Sequence, residues 1–189
     1  MPLPQSAERE LMHTRSIELR GYRRADGLWD IEGHLTDVKS YSFDNQWRGV
    51  VKAGEPLHDM WLRLTLDEDF VVRDVAASTD RSPYPECPAI TQAFRVLIGE
   101  KIASGWTNRT RELLGGVKGC THLVELLGPI ATTAFQTMWP LRARKADAVA
   151  PGGRRPRPGL IDTCHALAAD GPVVERTWPE FHLKRPGAA

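Results

Sequence analysis

The feature that most constrains this chain is an Asp-Gly dipeptide, Asp26-Gly27, set between two runs of alternating residues. Before it, from Thr14 to Arg24, Ile17, Leu19 and Tyr22 alternate against Arg15, Glu18, Arg20 and Arg23; after it the pattern resumes from Leu28 to Leu35. A period of two puts successive side chains on opposite faces of a strand, and Asp-Gly tolerates the positive φ that a tight reversal demands. The two runs are therefore predicted to form a β-hairpin.

A second hairpin is predicted from His58 to Leu66 and from Phe70 to Ala77, turning at Asp67-Glu68-Asp69. Between the hairpins, Thr36 to Pro56 is polar and glycine-bearing and reads as a surface loop. Three prolines between Ser82 and Pro88 bracket Cys87 and exclude a helix or central strand there. From this point the periodicity becomes helical. Pro88 suits a first helical position, which makes Cys87 the N-cap of a helix carrying Ile90, Phe94, Leu97 and Ile98. Thr107 is expected to cap a second helix that Gly115-Gly116 stops. A third opens at Cys120-Thr121 and carries Leu123, Leu126, Leu127, Ile130, Ala131, Ala134, Phe135 and Met138 on one stripe, with a kink or restart expected at Gly128-Pro129.

Residues 142–159 are basic and rich in proline and glycine, as linkers are. Residues 160–189 are expected to return as a third hairpin turning at Asp170-Gly171 and laid back on a domain spanning 1–141. The order is that of the α+β class: an antiparallel sheet built from hairpins, with three helices packed on one face.

Composition removes several functions. With 25 basic and 24 acidic residues the net charge is +1, so no global field favours nucleic acid or an anionic membrane. A membrane span needs roughly 20 mostly apolar residues, and no such run exists. The N-terminus has neither a basic start nor an apolar stretch, and three cysteines is an odd number. These features predict a cytoplasmic protein with reduced thiols.

Cysteine and histidine concentrate at breaks between elements: His58-Asp59, Cys87, Gly119-Cys120-Thr121-His122 and Cys164-His165. A thiol at a helix N-terminus is biased toward thiolate, and thiolate, imidazole and carboxylate are the groups that zinc or ferrous iron takes up. Buried, inert cysteines give the same pattern. On the first hairpin Asp30, Glu32 and His34 share one strand face, where they either relay protons or sit in solvent. The six tryptophans serve as core and rim residues or as walls of a pocket for a planar ligand.

Two stretches, Gly21-Tyr22-Arg23-Arg24-Ala25-Asp26-Gly27-Leu28-Trp29-Asp30-Ile31-Glu32 with Leu35-Thr36-Asp37, and Gly116-Val117-Lys118-Gly119-Cys120-Thr121-His122-Leu123, resemble the signatures of an uncharacterised bacterial family, domain of unknown function 2889. More distantly, Leu57 to Met138 resembles iron–sulfur scaffold proteins of the IscU and NifU kind and implies an IscU/SufE-like core. In that likeness Asp59, Cys87 and Cys120 fall where the scaffold ligands fall, whereas Leu57, or His58 after a one-residue slip, replaces the first cysteine. The resemblance thus implies one divalent ion, zinc or iron, held by Cys87, Cys120, His58 and Asp59, with Cys164 and His165 as further candidates.

The expected activity is that of a small metal-dependent lyase. His122 or Glu32 would move the proton, and Trp29, Trp61 and Arg23 would line the substrate pocket. The bacterial family resemblance implies aromatic, lignin-type catabolism and a retro-aldol loss of an aldehyde such as formaldehyde. The partners expected are a small-molecule substrate of aromatic character, no nucleic acid and no membrane, with self-association left open. The alternatives are a carrier of metal or iron–sulfur clusters and a metal-free interaction module with its cysteines buried. The metal readings require Cys87 and Cys120 to converge near His58 and Asp59.

Overall fold

A computed structural model describes residues 3–147 and 157–184. Its centre is a four-stranded antiparallel sheet of order β1-β2-β5-β6, formed by β1 (His13–Arg23), β2 (Trp29–Lys39), β5 (Pro56–Leu66) and β6 (Val72–Arg81). Both predicted hairpins are present. The first turns through a longer loop than Asp-Gly alone implies: Arg24 N–H donates to Leu28 O, Gly27 takes φ +88°, and Asp26 Oδ1 accepts the Leu28 N–H. The expected loop at 36–56 is shorter, because β2 runs on to Lys39 and a small second sheet pairs β3 (Phe43–Asn45) with β4 (Gly49–Val51).

Strand parity decides what each face carries. On β2 the buried positions are Trp29, Ile31, Gly33, Leu35 and Asp37, and on β5 they include His58, Met60, Leu62 and Leu64. Against this face pack Phe94 and Leu97 of a 3₁₀ segment (Cys87–Leu97), Trp106 and Leu114 of α1 (Trp106–Leu114), and Leu123, Leu126, Leu127, Ile130, Ala134 and Met138 of α2 (Thr121–Asp147). The α+β class and the one-sided helix layer follow from that single apolar face. Trp106 belongs to this core and donates its Nε1–H to Leu127 O at 3.0 Å.

The helix α2 lies close on the sheet. A Cβ on Gly33 would stand 3.1 Å from Leu19 Cδ1 and 3.2 Å from Ile130 Cδ1, and a Cβ on Gly21 would overlap Thr137 Oγ1. These two glycines let the helix backbone approach β1 and β2.

Four expectations are corrected. The segment after Cys87 is 3₁₀ rather than α, and Glu86, not Cys87, is its N-cap. The second helix starts two residues earlier than a Thr107 cap would set it, at an N-cap Gly105 with φ +88°. The third helix continues through Pro129 and Pro140 to Asp147, so it takes in the first residues of the predicted linker. Residues 148–156 of that linker lie outside the described residues. The tail holds short helices in place of a hairpin: α3 (Pro172–Thr177) starts after Gly171, because Pro172 supplies the fixed φ of a first helical turn.

Two compact units are present, Met1–Arg142 and Ala143–Ala189. The second has its own small core of Ile161, Ala169 and Val174, with Trp178 and Phe181 packed on it. Among the described residues no helix is long and apolar enough to cross a membrane.

Candidate functional site

At one end of the sheet the core face stops being apolar. The register sets Arg15 opposite Asp37 and Asp37 opposite His58, with His13 two residues from Arg15 along the same face of β1. The N-terminus of α2 arrives over this end. Cys120 is its N-cap, since its carbonyl accepts the Val124 N–H, and His122 and Glu125 follow in the first turns.

Asp37 is the hub and is 1% exposed. Arg15 binds it bidentately, Nε to Oδ1 and Nη2 to Oδ2, both at 2.8 Å. His13 Nε2 lies 3.0 Å from Oδ1, His58 Nδ1 2.9 Å from Oδ2, and His122 Nε2 3.9 Å from Oδ2. The imidazoles of His58 and His122 lie face to face with centroids 3.8 Å apart and planes tilted by 32°. Arg15 also reaches Glu125 with its other terminal nitrogen, which ties α2 to the sheet.

The electrostatics favour an ionised acid beside neutral bases. Burial pushes the Asp37 carboxyl up, but the Arg15 hydrogen bonds and charge, with help from His13 and His58, outweigh it and hold the group at about 2. Burial lowers His58, and the neighbouring His122 lowers it further against the opposing pull of Asp37. Burial likewise lowers His122, with Arg15 adding to the effect. Both imidazoles are thus biased toward the form that offers a lone pair.

Asp37, His58 and His122 each present a ligand atom within 4.8 Å of the other two. Two of the separations, 2.9 and 3.9 Å, bracket the roughly 3.3 Å that ligands keep across a tetrahedral ion with bonds of roughly 2.0–2.1 Å. The donor set, two neutral imidazoles and a carboxylate, suits one metal ion.

The expected residues divide between several places. His58 and His122 meet here, and Cys120 stands beside them with Sγ 3.9 Å from His122 Nδ1. Cys87 opens the 3₁₀ segment and joins no such group among the described residues, so the two thiols do not form a shared centre with His58 and Asp59. Asp59 cannot join His58, because adjacent strand residues face opposite ways; it meets His34 Nε2 at 2.7 Å on the other face of the sheet. Glu32 is on that other face too, 3.6 Å from Arg63. Trp61 stacks there on His34 at 3.8 Å with planes 6° apart. Trp29 is a core residue, and the Arg23 guanidinium sits 5.7 Å over its ring. That pair closes the opposite end of the hairpin, and eight residues along β2 from Asp37 span about 26 Å. Cys164 is exposed and belongs to the second unit, as does His165.

Asp37, His13 and Arg15 are not among the site residues expected from the sequence, although a signal exists. Asp37 continues the parity of Ile31 and Leu35, which makes it a carboxylate on a buried stripe, and buried carboxylates require partners. A groove of about 410 Å³ between Trp106 and Phe135 does not touch this cluster.

Residues 13–136 match the model of a family described as a protein of unknown function (DUF2889). No curated protein matches the chain, and no solved structure does.

Proposed function

We propose that this chain, which belongs to that family of unknown function, is a small metal-dependent enzyme in which Asp37, His58 and His122 take one divalent ion, zinc or iron. The observation that carries the reading is the convergence of a buried ionised carboxylate and two neutral imidazoles within 4.8 Å. They meet at a sheet end where His13 and His122 still reach solvent, with side chains 40% and 25% exposed.

A divalent ion at such a site supplies a Lewis acid that polarises a carbonyl or stabilises an alkoxide. The chain's own residues do the rest. Arg15 and His13 hold Asp37 ionised, and the 2.9 Å between Asp37 Oδ2 and His58 Nδ1 sets those two ligand atoms side by side. His13, hydrogen-bonded to Asp37 at the rim, would exchange a proton with substrate, the role expected of His122 or Glu32.

The reaction we assign is a carbon–carbon cleavage of the retro-aldol type, releasing an aldehyde such as formaldehyde from an aromatic, lignin-type substrate. The likeness to a bacterial family suggests the substrate class, the odd cysteine count suggests a cytoplasmic setting, and the cluster supplies a proton carrier beside a site for developing negative charge. The IscU-like alternative, a carrier of metal or clusters, needs thiols at an exposed rim. Cys87 and Cys120 are half-buried and Asp37 is buried, which favours an ion kept for chemistry.

Elemental analysis of purified wild type beside His58→Ala and His122→Ala tests the centre. About one zinc or iron per chain, lost in both variants, is expected. Loaded protein incubated with phenolic dimers should then release aldehyde. Folded wild type that carries no metal and takes up neither added zinc nor added iron overturns the reading.

A further inference from the structure

The imidazole of His122 faces a different donor set on each side. Its Nε2 lies 3.9 Å from Asp37 Oδ2, among oxygen and nitrogen donors, whereas its Nδ1 lies 3.9 Å from Cys120 Sγ. Cys120 Sγ is in turn 4.0 Å from Met60 Sδ. Met60 shares the core face of β5 with His58, two residues away, and is fully buried; Cys120 caps α2 and is half-buried. A thioether and an imidazole nitrogen, from two elements far apart in sequence, thus each lie within 4.0 Å of one thiol, on the side of His122 away from the carboxylate.

We propose that Met60, Cys120 and His122 form a site for one Cu(I) ion. It shares only His122 with the divalent reading above, and it stands without Asp37.

Three observations carry it. The first is donor softness. Thiolate and thioether together select cuprous copper, whereas zinc and ferrous iron gain little from a thioether, so Met60 is the residue that distinguishes this set from an ordinary Cys/His site. The second is spacing. A three-coordinate ion with bonds of roughly 2.0 Å to nitrogen and 2.3 Å to sulfur separates its two sulfurs by roughly 4.0 Å and a sulfur from the nitrogen by roughly 3.7 Å. The observed 4.0 and 3.9 Å are close to these values before any side chain moves. The third is orientation. The His122 ring turns Nε2 toward the oxygen donors and Nδ1 toward Cys120, so the nitrogen that faces the sulfur atoms is not the one that faces Asp37. Uptake exchanges the thiol proton for the ion: one S–H bond breaks, one Cu–S bond forms, and one proton leaves to solvent. No electron moves, because the copper arrives as Cu(I).

The test is an anaerobic Cu(I) titration of the full metal-free chain in competition with bicinchoninate. Wild type should withdraw one Cu(I) per chain. Cys120→Ser should weaken binding by about a hundredfold or more, and Met60→Leu, which conserves core volume, by about tenfold. X-ray absorption of the loaded protein should show two sulfur neighbours in wild type and one in Met60→Leu. Asp37→Asn, its fold verified by circular dichroism, should lose zinc or iron uptake yet keep Cu(I), so the failure of one reading is separable from the failure of the other. If wild type withdraws no Cu(I), or if Met60→Leu binds as tightly as wild type with an unchanged sulfur count, Met60 and Cys120 are only packed against each other and the proposal falls.

Discussion

Asp37 is a buried carboxylate whose ionisation the fold supports, and this makes acid stability the sharpest probe of the cluster. Its carboxyl titrates at about 2 in the folded chain against 3.8 when unperturbed. Each pH unit of difference between folded and unfolded states corresponds to about 1.36 kcal/mol, so the pairing contributes about 2.4 kcal/mol at neutral pH. Because the folded value is depressed, that contribution is complete above 3.8 and is lost as pH falls through about 2. About 1 kcal/mol of it should already be gone at pH 3. Asp37→Asn removes the charge while keeping the shape, so its deficit against the parent should be largest at neutral pH and should narrow by about that amount on acidification. Urea unfolding of chelator-treated protein between pH 6 and pH 3, followed by far-ultraviolet circular dichroism, measures the gap. A His58→Gln, His122→Gln background removes the titration of those two imidazoles from the comparison. A gap that stays constant across this range would refute the claim that Arg15 and its neighbours stabilise the ionised form.

In metal-free wild type the buried imidazoles act over a higher window. Burial lowers both His58 and His122 below 6.5, so the unfolded chain takes up protons first and stability should decline as pH drops below 6.5; His122→Gln should flatten that decline in the same urea assay. Gly21→Ala should cost about 1–3 kcal/mol by forcing α2 off β1, and Thr137→Ala in the same chain should recover most of it, as thermal unfolding of the double-mutant cycle would show. Glu32→Gln and Cys87→Ala should leave the metal content of purified protein unchanged, because both residues lie outside the cluster.

Much of the architecture was legible because it rests on local periodicity. Alternation located β1, β2, β5 and β6, Gly115-Gly116 located the end of α1, and Cys120-Thr121 located the start of α2. The tail misled because Pro172 after Asp170-Gly171 serves a turn and a helix start equally well. The site was harder to read, since it depends on which face each residue takes. His58-Asp59 reads as a unit along the chain, although a period of two separates neighbours to opposite faces. Glu32 and His34 were correctly placed on one face, but it is the face without helices. Pairing of Asp37 with Arg15 and His58 depends on strand register, and Arg15 meets Glu125 across 110 positions of sequence. Contacts of that range are not encoded in any short window.

Three strands and the start of one long helix each contribute to the ring of side chains around Asp37, and no single hairpin holds more than part of it. A partly folded chain therefore has nothing to offer an ion. Whatever occupies the ring acts on the first unit as a whole, adding its binding free energy to the global unfolding step and leaving local fraying untouched. Occupancy and integrity become one equilibrium, so the melting temperature reports the fill of the ring, and hydrogen exchange in β1, β2, β5 and α2 should slow together.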